Sequence, residues 1–277
     1  MSAFEQFLHT LQATMERPAD FGWFHLLFWA LTLAFAVILV WRYRDASDRR
    51  MRTILFVVWI VLLVLEIYKQ LSFSMDVEYG VANWSFKWYT FPFQFCSTPL
   101  YVLPLIVFLK DGAVRRCIIT FFSTFVFFAG LVVMIYPNDV FTSVIGINIQ
   151  TMIHHGAQVA LGIYLAAYNR RHMTIRRYFG SLLVFCAFAV VAMVLNECFY
   201  SMLMAQGNMT DAFNMFYISP HYDCTLPILS IVYKAAPYPV FLIVYLLGFA
   251  LVSAIFFFAE KGIIALASRK SKNTDVI

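Results

Sequence analysis

A chain of 277 residues that is 62% hydrophobic, 18% aromatic and only 13% charged lies outside the range of soluble globular domains and reads as a polytopic membrane protein. Its formal charge of +5 sits mostly in short connecting segments, where it reports topology, and nucleic-acid binding has no support. Five cysteines, at 96, 117, 186, 198 and 224, form no CxxC pair and no zinc spacing, so neither a metal nor a cofactor is expected.

Residues 1–22 read as an interfacial amphipathic helix and linker. Phe4, Phe7, Leu8, Leu11 and Met15 share one helical face, Ser2 and Glu5 have the form of a capping box, and Pro18 ends the helix. No short apolar core with a small-residue cleavage site is present, so the first long apolar run is expected to be retained. Seven apolar runs follow, each near the roughly 20 residues that a membrane-crossing helix needs. They are Trp23 to Trp41, Thr53 to Leu71, Pro92 to Leu109, Val114 to Ile135, Ile147 to Tyr168, Tyr178 to Met202 and Tyr238 to Glu260. The expected fold is all-α, a seven-helix transmembrane domain over residues 23–260 with a tail over 261–277 that is irregular from Ser268.

The connecting segments alternate in charge. Arg42, Arg44, Arg49, Arg50 and Arg52 follow the first run, Lys110, Arg115 and Arg116 the third, Arg170, Arg171, Arg176 and Arg177 the fifth, and Lys261, Arg269, Lys270 and Lys272 the last. The opposite set holds only Arg17, Lys87 and Lys234. Basic connections stay cytoplasmic, which predicts an outside N-terminus and a cytoplasmic C-terminus. Position Asn138 is then outside, as are two long loops, 72–91 and 205–236, whose aromatic residues suit a cap over the helices. Each long loop carries a glycosylation acceptor pattern, Asn83-Trp84-Ser85 and Asn208-Met209-Thr210. Cys198 and Cys224 both fall near the outer surface, where an oxidising compartment would allow a disulfide, while Cys117 and Cys186 read as packing residues.

The segment Phe91 to Leu105, FPFQFCSTPLYVLPL, is too apolar for a loop and too interrupted for an ordinary span. Read as a helix entering from outside, it puts Cys96 about 6 Å deep, and the fifth run puts His154 and His155 about 11 to 12 Å deep. Glu66, Lys69 and Gln70 close the second run, and Asn196, Glu197 and Cys198 close the sixth. Polar residues therefore converge on the outer half of the bilayer, where an ionisable group marks a functional site by default. Each has a structural alternative. Glu66 and Lys69, three residues apart, can neutralise each other, and Asn196 can join helices. The adjacent histidines face about 100° apart, so one is expected at the site and one in packing.

These residues resemble a known family. FPFQFCSTPLYVLPL resembles the third span of the YwaF-type integral membrane proteins, and His155-Gly156 resembles their fifth-span pair. Gly22-Trp23-Phe24-His25, Asn196, Asn214-Met215-Phe216-Tyr217, Pro220 and Ala236-Pro237-Tyr238-Pro239 resemble further landmarks in the same order. The resemblance implies a multi-pass protein of a bacterial plasma membrane. It also implies kinship with a eukaryotic acyltransferase that remodels phospholipids through a cysteine of this motif, with Cys96 as nucleophile and His155 as base. Gln94 stands where the family often has histidine, His154 is additional, and His221-Tyr222-Asp223-Cys224 departs from the family pattern.

Two readings stay open. In the first, Cys96 and a histidine perform acyl transfer or hydrolysis on a membrane lipid, Gln94 and Asn196 donate to the oxyanion, Glu197 or Glu66 orients the imidazole, and the phenylalanines bound the acyl chain. In the second, Glu66, Lys69, His155 and Glu197 serve a proton-coupled transporter or small-ligand-binding protein without catalysis. The partners expected are membrane lipids and an acyl-chain substrate; oligomeric state is not legible.

Overall fold

The computed structural model describes residues 1–137, 140–208 and 211–274 and is mostly helical. Asn138, Met209 and Thr210 lie outside the described residues. Helix α1 (Ala3–Leu11) opens with the expected capping box, Ser2 N donating to Glu5 Oε2 over 2.6 Å and Glu5 N to Ser2 Oγ over 3.3 Å. Leu8 is buried, but Phe4, Phe7 and Leu11 keep an apolar face exposed. Helices α2 (Trp23–Tyr43) and α3 (Asp48–Ser74) match the first two apolar runs.

The first long loop, 72–91, adds a two-stranded hairpin to the helices, which the sequence reading did not include. Strands β1 (Met75–Glu78) and β2 (Val81–Trp84) pair antiparallel around Tyr79 and Gly80, whose φ angles of 50° and 78° suit a two-residue hairpin turn. Tyr-Gly lacks the Asn-Gly or Asp-Gly signature that announces such a turn in a sequence. Trp84 Nε1 donates to Glu5 Oε1 over 3.0 Å, tying the hairpin to α1.

The third apolar run is not one continuous helix. A 3₁₀ turn over Phe95–Ser97 leads into α4, which spans only Pro99–Phe108. Pro99 takes the first turn of α4, where its missing N–H is harmless. Pro104 lies inside α4 and cannot donate to the Leu100 carbonyl one turn back. Trp59 of α3 supplies that donor instead, its Nε1 lying 2.9 Å from Leu100 O. At the other end of α4, Arg115 Nε donates to Ile106 O over 2.7 Å and Arg52 donates to Val107 O. Asp48 bridges the two guanidinium groups, accepting from Arg115 over 2.6 Å and Arg52 over 2.7 Å.

The fourth run forms α5 (Ala113–Phe121) and α6 (Phe127–Ile135), joined by a π turn over Phe122–Val126. The remaining helices are α7 (Ile145–Tyr168), α8 (Ile175–Ala205), α9 (Leu229–Ala235) and α10 (Tyr238–Thr274). α10 continues beyond Glu260, so the tail expected to be irregular from Ser268 is helical as far as Thr274. Among the described residues five segments are long and apolar enough to cross a membrane: Trp23–Tyr43, Asp48–Ser74, Ala113–Ile135, Ile175–Ala205 and Tyr238–Leu266. With them the chain is a multi-pass membrane protein. Their outward faces expose Val37, Val64, Leu183, Val190, Leu247 and Leu251, the surface that hydrocarbon would cover.

α7 is long enough to cross but more polar, and its surroundings explain why. It packs against α2, α6 and the π turn, and also touches α3 and α5. Asn148, Gln150, Thr151, His154, His155 and Gln158 are all buried on it. Such groups are expensive in hydrocarbon, so the apolar helices sheathe this one. Two glycines permit the close approach: a Cβ at Gly156 would lie 2.3 Å from Thr32 Oγ1, and one at Gly130 would lie 2.5 Å from Gln158 Cβ.

Candidate functional site

The break before α4 exposes a backbone carbonyl inside the protein. Ser97 N bonds Gln94 O over 2.8 Å and Thr98 N bonds Phe95 O over 3.3 Å, but the next acceptor, Cys96 O, faces Pro99, which has no N–H to close the same turn. α7 supplies the donors. His154 Nε2 donates to Cys96 O over 3.0 Å, and Gln158 Nε2, one helical turn on, donates to the same atom over 2.7 Å. Among the described residues both contacts from α7 therefore reach the carbonyl of the half-buried Cys96, and no imidazole is hydrogen-bonded to its sulfur.

Because each of these histidines donates to a carbonyl, its tautomer follows. His154 carries its proton on Nε2; His155 Nδ1 donates to Thr151 O over 2.8 Å and carries its proton there. The other ring nitrogens, His154 Nδ1 and His155 Nε2, are buried without a partner among the described residues. Both are basic lone pairs. The rings are 5.5 Å apart between centroids at 69°, so the adjacent residues do not point oppositely, and both are buried.

Glu66 and Lys69 form the ion pair that their spacing allowed, Lys69 Nζ lying 2.8 Å from Glu66 Oε1. Gln70 Nε2 donates to the same oxygen over 2.6 Å and to Thr90 O over 2.7 Å, fastening α3 to the segment that precedes Cys96. Glu66 Oε2 and Gln158 Oε1 are buried without partners among the described residues. The site thus combines a thiol, two neutral imidazoles with free lone pairs, and a neutralised carboxylate.

Gln94 and Asn196 do something else. Gln94 Nε2 donates to Asn214 O over 2.9 Å and its Oε1 accepts from Phe216 N over 3.1 Å. Asn196 Oδ1 accepts from Met215 N over 2.7 Å and its Nδ2 donates to Met215 O over 3.1 Å. Four bonds from these two amides dock residues 214–216, in place of the free oxyanion donors expected from sequence. The docked loop is conformationally demanding: Phe216 and Tyr217 have φ of 59° and 56°, uncommon for bulky residues. Phe216 is fully buried against Phe93 and Phe95, at ring distances of 5.8 and 5.4 Å.

Glu197 is turned away from the imidazoles. Its carboxylate is half exposed and lies 3.0 Å from His221 Nε2, whose ring stacks on Tyr200 at 3.6 Å. It sits one residue after the inward Asn196, and consecutive helical positions face about 100° apart. It therefore does not orient either α7 histidine. Cys198 and Cys224 are free thiols, not a disulfide.

Gln158 was not anticipated from sequence, although its place four residues after His154 puts it on the same face of α7. Gln70 was among the converging polar residues, but its contact with Thr90 was not anticipated, since it joins separate segments. Among the described residues no group of three or more His, Cys, Asp or Glu side chains is placed to hold a metal ion.

No curated protein and no solved structure matches the chain. A family model described as the TMEM164 family matches residues 20–258, from just before α2 to near the end of the last apolar run, and the chain therefore belongs to the TMEM164 family, a family of membrane proteins.

Proposed function

We propose that the protein is a membrane-lipid acyltransferase or hydrolase with Cys96 as nucleophile. The observation that carries this reading is the pair of buried imidazoles, each with one nitrogen held by a carbonyl and the other a free lone pair, beside the Cys96 turn. The resemblance of FPFQFCSTPLYVLPL and His155-Gly156 to YwaF-type proteins and their acyltransferase relative supports the same assignment.

His155 takes the thiol proton, and the thiolate attacks the carbonyl carbon of a lipid ester. The tetrahedral adduct collapses to a thioester as the ester C–O bond breaks, and the imidazolium returns its proton to the leaving lipid alkoxide. An acceptor alcohol or water then gives a proton to His155 and attacks the thioester, releasing the new ester or the acid and restoring the thiol. His154 and Gln158 position the turn through its carbonyl. α4 begins three residues beyond Cys96, and the positive end of its dipole favours the developing oxyanion. Gln94 and Asn196 act as positioning residues by holding the 214–216 loop.

In this proposal the chain crosses seven times, α4 with its preceding turn and the sheathed α7 completing the five apolar crossings, with an outside N-terminus and a cytoplasmic C-terminus. A bacterial plasma membrane belongs to the same proposal. A second reading, proton-coupled transport or binding of a small ligand, draws on the buried Glu66–Lys69 pair next to the imidazoles.

The test is labelling with a long-chain iodoacetamide in a variant whose other four cysteines are replaced by serine or alanine, followed by phospholipid acyl exchange. Labelling at Cys96 that is slowed at least about tenfold in His155→Ala, together with loss of acyl exchange in Cys96→Ser, is the expected result. Full acyl exchange by the Cys96→Ser protein excludes the covalent mechanism and moves the transport reading ahead.

A further inference from the structure

The connection between α2 and α3 forms a groove of about 520 Å³ lined by Arg42, Arg49 and Arg50, with Tyr43, Ser47 and Thr53. A second groove of about 470 Å³ shares Arg49 and Thr53 with the first and continues onto Phe56, Val107 and Phe108. A cationic groove therefore borders one that also holds Asp48 and Arg52 and whose remaining wall, at Phe56, Val107 and Phe108, is apolar.

The charges of this layer are unevenly matched. Asp45 is taken by Arg44 and Arg170, Asp48 by Arg52 and Arg115, and Asp111 by Arg116. Arg42, Arg49 and Arg50 have no carboxylate partner among the described residues, so three guanidinium groups face one groove uncompensated. Asp48 borders the apolar groove, but its two oxygens are held by Arg52 and Arg115. The first turn of α3, capped by Ser47, adds the positive end of a 27-residue helix. Trp41, four-fifths exposed next to Arg42, has the position of an interfacial aromatic.

We propose that this composite groove binds an anionic phospholipid, its phosphate against Arg42, Arg49 and Arg50 and the start of an acyl chain against Phe56 and Phe108. The adjacency of the cationic and apolar walls, which meet at Arg49 and Thr53, selects a lipid over a free phosphate, because a soluble anion would leave the apolar wall uncovered. Phe56 and Phe108, 6.3 Å apart at 78°, form the wall along which the chain runs. The groove is built at the opposite end of α3 from Glu66, so the assignment is independent of the Cys96 reading.

Native mass spectrometry of the full chain, equilibrated with equal phosphatidylglycerol and phosphatidylcholine of identical chains, tests it. The wild-type protein retains phosphatidylglycerol preferentially, and each arginine replaced by glutamine lowers that preference roughly fivefold. The triple variant Arg42→Gln/Arg49→Gln/Arg50→Gln shows no preference, whereas Arg171→Gln, outside the groove, retains it. Phe108→Ser weakens long-chain more than short-chain phosphatidylglycerol. Equal retention of both lipids by the wild type, or an unchanged preference in the triple variant, overturns the proposal. Complete displacement by millimolar inorganic phosphate identifies a free-anion site and also overturns it. If the triple variant does not fold, the wild-type preference and the single variants decide the result.

Discussion

The imidazole of His154 donates to the backbone carbonyl of Cys96 over 3.0 Å, a contact that exists because Pro99 cannot fill that carbonyl from within its own turn. The interruption of the third apolar segment thus creates the acceptor through which α7 grips it. Gln158 grips the same atom over 2.7 Å, so the position of Cys96 depends on the packing of α7.

That packing leaves no room beside α7 at Gly130. A Cβ there would meet Gln158 Cβ at 2.5 Å and His155 O at 2.8 Å, and a backbone atom cannot move aside as a flexible side chain can. Gly130→Ala is expected to destabilise the protein by about 1–3 kcal/mol. Gly112→Ala and Gly248→Ala, with nothing within 4 Å of the added atom, serve as controls in thermal unfolding in detergent. A Gly130→Ala midpoint equal to theirs would contradict the close approach.

Trp59 and Pro104 should be coupled although they belong to different helices. Trp59→Phe leaves the Leu100 carbonyl without its indole donor and is expected to cost about 1–3 kcal/mol. Adding Pro104→Ala restores a backbone N–H one turn after Leu100, so the double variant should recover much of that loss. A double-mutant cycle measured by unfolding reads the coupling, and strict additivity would refute it.

Asn196→Ala removes both side-chain bonds to Met215, one at each end of that residue's backbone. With Phe216 and Tyr217 already at positive φ, the loop should open more often. Limited proteolysis between residues 211 and 228 is expected to accelerate at least about tenfold, the equivalent of a lost buried bond or more. Unchanged cleavage would mean that the contacts of Gln94, and of Tyr238 with the Ile218 carbonyl, hold the loop without Asn196.

Asp45 provides a pH signature away from the membrane-spanning segments. Its hydrogen bond to Arg170 comes first among the causes that hold its carboxyl below the ordinary range, with the nearby charges of Arg170 and Arg44 acting in the same direction. A carboxylate depressed in the folded state contributes stability above its unfolded value, about 3.9, and loses it as pH falls through the folded value. The side chain is 63% exposed, so the contribution is below about 1 kcal/mol. Arg170→Ala should therefore lower stability slightly at pH 7 and leave it unchanged well below pH 4. An equal effect at both pH values would indicate that Arg170 acts through its carbonyl contacts with Arg44 and Ala167 instead.

Cysteine accessibility from each side of sealed vesicles checks the orientation. Cysteines introduced at Arg49 and Arg171 should label from the cytoplasmic side, and those at Asn208 and at Tyr79, the exposed turn residue of the 72–91 loop, from outside. Labelling of position 79 from the cytoplasmic side alone would reverse the proposal.

The sequence by itself determined where the chain becomes helical, because long apolar runs and their charged or proline-marked ends are local properties. α2, α3, α8 and the start of α10 follow those runs closely, and the Ser2–Glu5 box and the Glu66–Lys69 pair depend only on spacing along one helix. The prolines and polar residues of Phe91 to Leu105 also marked it as an exceptional segment, and it is broken before α4. The sequence did not determine what each polar group touches. Gln94 and Asn196 read as candidate oxyanion donors and Glu197 as a carboxylate to orient an imidazole, yet the two amides dock a loop more than a dozen residues away and the carboxylate faces His221. Only the tertiary structure made that distinction, because a hydrogen-bonding group takes whichever partner the packing of other segments brings within about 3 Å. For the same reason the Cys96 carbonyl, absent from any pattern of side chains, became the point where His154 and Gln158 meet.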